Sequence, residues 1–131
     1  MAYADRLDAD LEALMREVYA AGVEVHRHLG PGMLESAYSA AYSYELKSRR
    51  LSVNAEVALS VTYKALVIPN AYRIDLLVEE KLPIELKAVE ALLPKHTSQL
   101  LTYMKFGGYP LGLLVNFHEK LFKTGARRVV L

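Results

Sequence analysis

The segment Ile74-Asp75-Leu76-Leu77-Val78-Glu79-Glu80-Lys81-Leu82-Pro83-Ile84-Glu85-Leu86-Lys87 decides the fold of this chain. Two apolar runs flank a polar break, which predicts a β-hairpin whose centre lies near Glu80. A three-residue turn there would place Asp75 opposite Glu85, with the two side chains about 5 Å apart. Lys87 follows Glu85 by two residues, so both point to the same face of the strand. The sequence therefore predicts one group of three charges on a hairpin.

Two carboxylates that face each other across a hairpin repel, so the pair of Asp75 and Glu85 needs a compensating group. A divalent cation such as Mg²⁺ would supply it, because hard cations are bound by one or two carboxylates plus water. By spacing alone, an ordinary solvated strand face is the commoner explanation of a Glu-x-Lys pattern. The apolar residues around both carboxylates argue against it, since charges inside central strands are costly unless they are paired or bind metal. Together with Lys87, the pattern favours metal-assisted hydrolysis.

Further polar candidates lie on two predicted helices. Glu35 falls in the first turn of a helix predicted over residues 33–48, where a carboxylate interacts favourably with the helix dipole. It either stabilises that helix start or supplies a third carboxylate to the cation, directly or through water. Gln99 and Tyr103 are four residues apart on a helix predicted over residues 95–106, so they share a face. They are either a surface glutamine beside a half-buried tyrosine or part of the site.

The predicted elements follow the order α-α-β-β-β-α-β-(loop)-β along the chain. The elements not yet named are a helix over 8–29, strands over 53–63, 71–78, 82–87, 111–117 and 126–131, and a turn over 64–70 that contains Pro69-Asn70. The side chains expected on the buried side of the second helix are Leu34, Tyr38, Ala41, Tyr42 and Leu46. Three meandering strands followed by a crossover helix predict an α/β fold, a mixed sheet with helices on its faces.

Composition narrows the class of protein. A length of 131 residues predicts a single domain over 1–131, and a hydrophobic content of 53% predicts a well-filled core. The chain has no cysteine, which excludes disulfides and thiolate metal sites and fits a cytoplasmic location. No apolar run approaches the ~20 residues that span a bilayer, so no membrane contact is expected. The net charge of +1 gives no overall positive field that would attract nucleic acid. Binding of nucleic acid would therefore need a local basic surface.

Six separate motifs together resemble one known family. They are Gly32-x-x-Glu35-x-x-Tyr38, Tyr63-Lys64, Tyr72-Arg73-Ile74-Asp75-Leu76-Leu77-Val78, Glu85-Leu86-Lys87-Ala88-Val89-Glu90, His96-x-x-Gln99-Leu100-Leu101-x-Tyr103 and Gly112-Leu113-Leu114-Val115-Asn116-Phe117. From about Val18 to Val130, the chain is similar to the GxxExxY proteins of the PD-(D/E)XK nuclease superfamily. Ile74 stands where the name of the superfamily has proline, a common variation. Several linked motifs make this resemblance much more specific than a Glu-x-Lys pattern alone.

The resemblance implies a restriction-endonuclease-like core, a three-layer α/β/α arrangement in which helices flank a mixed sheet. It implies four metal ligands, namely Asp75, Glu85, the Leu86 carbonyl and Glu35. It implies that Lys87 orients or activates the attacking water and stabilises negative charge. It also implies a catalytic contribution from Gln99 and Tyr103, which match a Gln-x-x-x-Tyr motif that related nucleases place near the metal and the DNA.

The leading hypothesis is a Mg²⁺- or Mn²⁺-dependent nuclease that hydrolyses phosphodiester bonds, with DNA a better fit than RNA. The alternative is a nucleic-acid- or protein-binding module on a nuclease fold, with cleavage weak or absent, which the small size and near-neutral charge favour. A structural domain without chemistry would require the clustered charges to be accidental. Because specific interfaces with DNA bury on the order of 1,000 Å² of protein, we also expect a homodimer, with the tyrosine-bearing helix over 33–48 as its interface.

Overall fold

A mixed five-stranded sheet organises the protein, and the computed structural model describes residues 8–131 of it. In chain order the elements are α1 Ala9–Leu29, α2 Glu35–Ser48, β1 Val53–Tyr63, β2 Leu66–Val78, β3 Leu82–Lys87, α3 Pro94–Gly107, β4 Leu111–Asn116, α4 Phe122–Gly125 and β5 Ala126–Val130. The strands are arranged β1-β2-β3-β4-β5. β3 and β4 pair in parallel, with α3 as the connection between them, and the other neighbouring strands pair antiparallel. β3 is therefore the central strand.

Helices cover both faces of the sheet, and each face has its own apolar core. α1, α2 and α4 pack on one face, around Tyr38, Tyr42 and Phe117. α3 packs on the other face, where its Leu100 and its neighbours cover the apolar side chains of β2 and β4. The predicted α/β fold with a mixed sheet and flanking helices is confirmed.

α1 begins after an aspartate that caps it. Asp8 is the cap, because its Oδ1 accepts a hydrogen bond from Leu11 N at 2.8 Å. The buried stripe of α1 runs through Leu11, Met15, Val18, Ala21, Gly22, Val25 and His26. Within residues 8–131, no helix is long and apolar enough to cross a membrane.

α2 begins two residues later than predicted, at Glu35 instead of residue 33. Leu34 is therefore the residue that precedes the helix and is 77% exposed, so its predicted burial was wrong. Tyr38, Tyr42 and Leu46 are buried as predicted. The displaced start places Glu35 in the first turn of the helix, as the sequence indicated.

β2 is longer than the sequence predicted, because it begins at Leu66 instead of residue 71. The connection between β1 and β2 shrinks to Lys64-Ala65, and Pro69-Asn70 lies inside the strand. Pro69 is tolerated because the register with β1 shifts between Leu59 and Val61, so its missing N–H falls at an irregularity. The predicted turn over 64–70 was therefore wrong, since pairing with β1 overrode a local turn signal.

The hairpin that joins β2 to β3 has the register and the turn length that the sequence predicted. The paired residues are Leu76 with Ile84, Leu77 with Pro83 and Val78 with Leu82. The three turn residues are 79–81, and Glu79 and Glu80 adopt positive φ angles of 53° and 54°. This register brings Asp75 and Glu85 to the open end of the hairpin.

Gly125, in α4, lies against the main chain of β4. An added Cβ at this position would be 2.1 Å from the Asn116 carbonyl oxygen, and a backbone atom cannot move away cheaply. We expect Gly125→Ala to lower the melting temperature by about 5 °C or more, since overpacking costs on the order of 1–3 kcal/mol. Calorimetry checks this, with the exposed neighbour Thr124→Ala as the control that leaves the melting temperature nearly unchanged. A Gly125→Ala protein as stable as the wild type would contradict the close contact of Gly125 with Asn116.

Candidate active site

The polar residues that the sequence singled out converge where β2 and β3 separate. The paired register ends at Leu76 and Ile84. At the next position of β2, a side-chain hydrogen bond replaces the main-chain pairing with β3. Asp75 Oδ2 accepts it from Leu86 N at 2.7 Å. The Asp75 carboxylate is thereby held against the central strand, beside Glu85.

Glu85 is a buried acid, with 3% of its surface exposed, because it lies on the central strand. Burial, together with contact with Asp75 and its negative charge, raises the pKa of Glu85 to about 9, while Lys87 and Tyr103 act in the opposite direction. The Glu85 Oε1 atom is buried and has no hydrogen-bond partner within residues 8–131. Since buried polar atoms normally have partners, this oxygen marks a position for a ligand.

Lys87 lies on the same face of β3 as Glu85, as the spacing predicted. Its Nζ is 4.0 Å from Glu85 Oε2 and donates a hydrogen bond to Gln99 Oε1 on α3 at 3.4 Å. The lysine is thus held between a carboxylate of the sheet and an amide of the helix. Its side chain is 19% exposed, so the ammonium group remains accessible from outside.

A cleft of about 630 Å³ opens on the α3 side of the site. Its lining residues are Tyr72, Lys87, Lys95, His96, Ser98, Gln99 and Thr102. His96 Nδ1 accepts a hydrogen bond from Leu93 N at 2.9 Å, which stabilises the start of α3. Desolvation and the positive charges of Lys87 and Lys95 lower the pKa of His96, so its ring is neutral and keeps this acceptor role at pH 7. His96 therefore organises the helix start and does not carry positive charge into the cleft.

Tyr103 lies beneath the site with 4% exposure, so it is less accessible than the half-buried tyrosine of the first alternative that the sequence left open. Its ring packs against Tyr72, with ring centroids 5.4 Å apart. Burial, followed by the negative charges of Glu85 and Asp75, raises the pKa of Tyr103. The hydroxyl therefore stays protonated, so it is available as a donor to the neighbouring carboxylates.

Glu35 approaches the site from α2, on the opposite face of the sheet. Its Oε1 accepts a hydrogen bond from Ala88 N at 3.2 Å, just beyond the end of β3. Glu35 lines a second cleft, of about 640 Å³, together with Asp75 and Leu86. In the part of the chain that the structure describes, no three or more His, Cys, Asp or Glu side chains are grouped to hold a metal ion. The structure therefore places Glu35 in the cleft of Asp75 without forming a group of three carboxylates.

The residues that do converge fit a hard divalent cation. Asp75 and Glu85 supply two carboxylates, and Leu86, whose N–H donates to Asp75, lines the same cleft as Asp75. Mg²⁺ is commonly bound by one or two carboxylates and keeps several waters, so a third carboxylate is not required. The buried Glu85 Oε1 atom, which has no partner in residues 8–131, is the observation that supports this fit.

Sequence reasoning missed Asn116, which is 1% exposed at the end of β4. Its Nδ2 donates to Val89 O at 2.9 Å, and its Oδ1 accepts from Val89 N at 3.1 Å and from His118 N at 3.2 Å. Asn116 thereby anchors the segment that follows Lys87 to the neighbouring strand. A signal was present in the sequence, since a polar residue ends an otherwise apolar strand at this position.

We expect Asn116→Ala to lower the free energy of unfolding by about 2 kcal/mol, because it leaves the main-chain groups of Val89 without partners. Urea titration followed by circular dichroism measures this change. Asn54→Ala, at an exposed position of β1, is the matched control and should change the value by less than about 0.5 kcal/mol. Equal effects of the two substitutions would show that Asn116 anchors nothing.

The architecture is that of a restriction-endonuclease-like α/β domain, with Asp75 within one strand and a Glu-x-Lys pair on the next. It is similar to the crystal structure of SSO0001, with a TM-score of 0.52 and 18% sequence identity over 83% of this chain. The chain spans 60% of the length of that protein, and the likeness concerns the fold alone. No curated protein sequence matches the chain.

The sequence itself matches a family model over residues 12–129, and that model describes the PD-(D/E)XK nuclease superfamily. The match covers most of the chain and includes every residue of the candidate site. This chain belongs to the PD-(D/E)XK nuclease superfamily.

Proposed function

We propose that residues 1–131 form one GxxExxY-type nuclease domain that acts in the cytoplasm and hydrolyses phosphodiester bonds in DNA with Mg²⁺ or Mn²⁺. Membership of the nuclease superfamily supports the reaction class. The observation that carries the proposal is the buried Glu85 Oε1 atom, which has no partner within residues 8–131. The Glu85 side chain lies beside Asp75, and its other carboxylate oxygen, Oε2, is 4.0 Å from Lys87 Nζ.

Each residue of the site has a distinct role in this proposal. Asp75, Glu85 and the Leu86 carbonyl would hold the cation directly, and Glu35 would contact it through water. When bound, the cation supplies a Lewis acid for the phosphate and lowers the pKa of a water molecule.

Lys87 would orient the attacking water and neutralise the charge that develops on the phosphate. A bond forms from the water oxygen to phosphorus while the phosphorus–oxygen ester bond to the leaving nucleotide breaks, and one proton of the water passes through solvent to the leaving oxygen. Gln99 would keep Lys87 in place, as its hydrogen bond to Nζ indicates. Tyr103 would donate a hydrogen bond from its hydroxyl group to the carboxylates from beneath.

A cleavage panel tests the reaction class. Purified protein with Mn²⁺ is expected to cut at least one of four DNA substrates: a single strand, a duplex, a flap and a four-way junction. EDTA should stop the reaction, and Asp75→Ala should slow it by about 100-fold or more, because the cation loses a ligand. Equal rates for wild type and Asp75→Ala would mean that a contaminating nuclease does the cutting.

A binding module without catalysis remains the second candidate function, because the near-neutral charge gives no strong field for DNA. Calorimetric titration with Mn²⁺ separates the two candidates. A nuclease site should bind Mn²⁺ and lose that binding in Glu85→Ala. Wild-type protein that binds no Mn²⁺ but still binds nucleic acid would favour the module.

We further propose that two copies act together as a homodimer. The helix expected to form the interface is less suitable than the sequence indicated, because Tyr38 and Tyr42 of α2 are buried in the core. Exposed apolar side chains at the far end of the β1–β2 hairpin support an interface there, namely Tyr63 at 60%, Leu66 at 58% and Val67 at 58% exposure. Light scattering on the purified protein measures the mass, and a monomer at working concentrations would exclude the dimer.

A further inference from the structure

The cleft that begins at Asp75 continues along the outer side of α2. Its volume is about 640 Å³, and α2 lines it with Glu35, Ser36, Ser39, Ala40, Ser43, Tyr44 and Lys47. The three serines recur every three or four residues, so they form one row on the helix surface. From Glu35 to Lys47 the helix rises about 18 Å, which makes the cleft an elongated track and not a round pocket.

The two ends of this track differ in charge. Glu35 and Asp75 lie at one end, and Glu56 lines the β1 wall, where its carboxylate is 4.0 Å from the Arg73 guanidinium. At the other end, Lys47 faces the cleft, whereas the nearby Arg49 is held by Glu17 and Glu45. A cation bound at the acidic end would offset the carboxylates there, and the rest of the α2 side of the track carries hydroxyl groups and one ammonium group.

An aromatic side chain stands beside the ammonium group. Tyr44 lines the cleft and is 76% exposed, although its helix neighbours Tyr38 and Tyr42 are fully buried. An exposed tyrosine beside a lysine and a row of hydroxyls is a combination that binds single-stranded nucleic acid, because aromatic rings stack on unpaired bases. Serine hydroxyls and backbone N–H groups also contact phosphates, in addition to basic side chains.

We propose that this cleft binds a single strand of DNA and leads it to the Asp75 end of the site. Ser36, Ser39 and Ser43 donate hydrogen bonds to successive phosphate groups. Lys47 contacts one further phosphate, and Tyr44 stacks on an unpaired base. A single row of hydroxyl donors fits the sugar–phosphate backbone of one DNA strand and not of two. Stacking on Tyr44 requires a base that is not paired with a complementary base. The proposal rests on the nuclease function and names the form of its substrate.

The amount of DNA that the track holds follows from its length. At 3.4 Å of rise per phosphate in a stacked strand, ~18 Å accommodates at most about five phosphates, and fewer when the strand is extended. Uncharged hydroxyl donors also explain how a chain with a net charge of +1 would hold a polyanion. The salt dependence of binding should therefore be shallow.

Fluorescence anisotropy with a labelled single-stranded oligonucleotide tests the track, with Ca²⁺ in place of Mn²⁺ so that the DNA stays intact. Tyr44→Ala should weaken binding by about tenfold, because it removes one stacking contact. Lys47→Ala should weaken binding and reduce the slope of log affinity against log salt by about one unit. The matched controls are Phe106→Ala and Lys105→Ala, an exposed aromatic–lysine pair at the end of α3, and both should bind like the wild type.

Cleavage assays separate the track from the reaction itself. On a single-stranded substrate, Tyr44→Ala should raise KM by about tenfold and leave kcat within about twofold, since Tyr44 holds DNA away from the reacting phosphate. Suppose that the wild type cleaves DNA and that Tyr44→Ala and Lys47→Ala bind DNA with unchanged affinity. This result would overturn the proposed DNA-binding track and leave the nuclease function standing. Binding of duplex only, or equal losses in the α3 controls, would also overturn the track. Preference for RNA of the same sequence would overturn the assignment to DNA, and wild type that neither binds nor cleaves would overturn both proposals.

Discussion

Replacing Lys87 by alanine is expected to reduce metal-dependent cleavage of DNA by about 100-fold or more, while the protein stays folded. Lys87 Nζ is within 4.0 Å of Glu85 Oε2 and within 3.4 Å of Gln99 Oε1, so its position is fixed before the substrate arrives. A preorganised charge of this kind contributes chiefly to kcat, because it opposes charge that develops only in the transition state.

The measurement is kcat at saturating Mn²⁺, because Lys87 also affects the metal site. The lysine lowers the pKa of Glu85, so its loss makes that carboxyl harder to ionise and weakens Mn²⁺ binding near pH 7. Saturation with metal removes this contribution and isolates the effect on the chemical step. Lys81→Ala, in the exposed hairpin turn, is the matched control and should keep its full activity. A Lys87→Ala enzyme with more than about a tenth of wild-type kcat would contradict the role.

Replacing Glu85 by glutamine is expected to stabilise the metal-free protein at pH 8 while abolishing metal binding. The pKa of Glu85 is about 9 in the folded protein and near its ordinary value of 4.5 in the unfolded chain. Between these two values, the folded state holds a proton that the unfolded state has released. The free energy of unfolding of the wild type therefore falls as the pH rises through this window.

Glutamine removes this dependence because it does not ionise. We expect Glu85→Gln to match the wild type near pH 4.5 and to exceed its stability at pH 8 by on the order of 2–4 kcal/mol in EDTA. Urea unfolding at the two pH values measures the difference. Parallel stability curves of the two proteins across this pH range would show that the carboxyl is not protonated in the fold.

Two controls sharpen the experiment. Hydrogen bonds from Ser52 lower the pKa of Glu79, so Glu79→Gln should have the opposite sign and lose stability at pH 8. Mn²⁺ at pH 8 should raise the melting temperature of the wild type and leave that of Glu85→Gln unchanged, because a ligand stabilises only the state that binds it.

The central hairpin and its charged group were predictable from the sequence, because their signals are local. Two apolar runs around a three-residue polar turn predicted the pairing of Leu76 with Ile84, and a spacing of two residues placed Glu85 and Lys87 on one face. The hydrogen bond from Leu86 N to Asp75 was not predictable, since it depends on where two strands diverge.

The errors came from contacts between distant parts of the chain. Pro69-Asn70 carries a strong turn signal, yet pairing with β1 keeps it inside a strand. Asn116 holds Val89, which is 27 residues away, and no local pattern reveals that partner. The spacing of the three serines on α2 places them on one helix face. Only the structure shows that this face and Asp75 line the same cleft.

The buried Oε1 atom of Glu85 should make this position behave differently under two kinds of selection. A library screened for thermal tolerance alone would favour glutamine or an apolar residue there, whereas a library screened for nuclease activity would retain only glutamate. Improved thermal tolerance would then arise at the expense of activity at this one position, while substitutions on the exposed side of α1 or in the hairpin tip would be free of that conflict. Engineering of a more robust enzyme should therefore begin away from the centre of the sheet and leave β3 untouched.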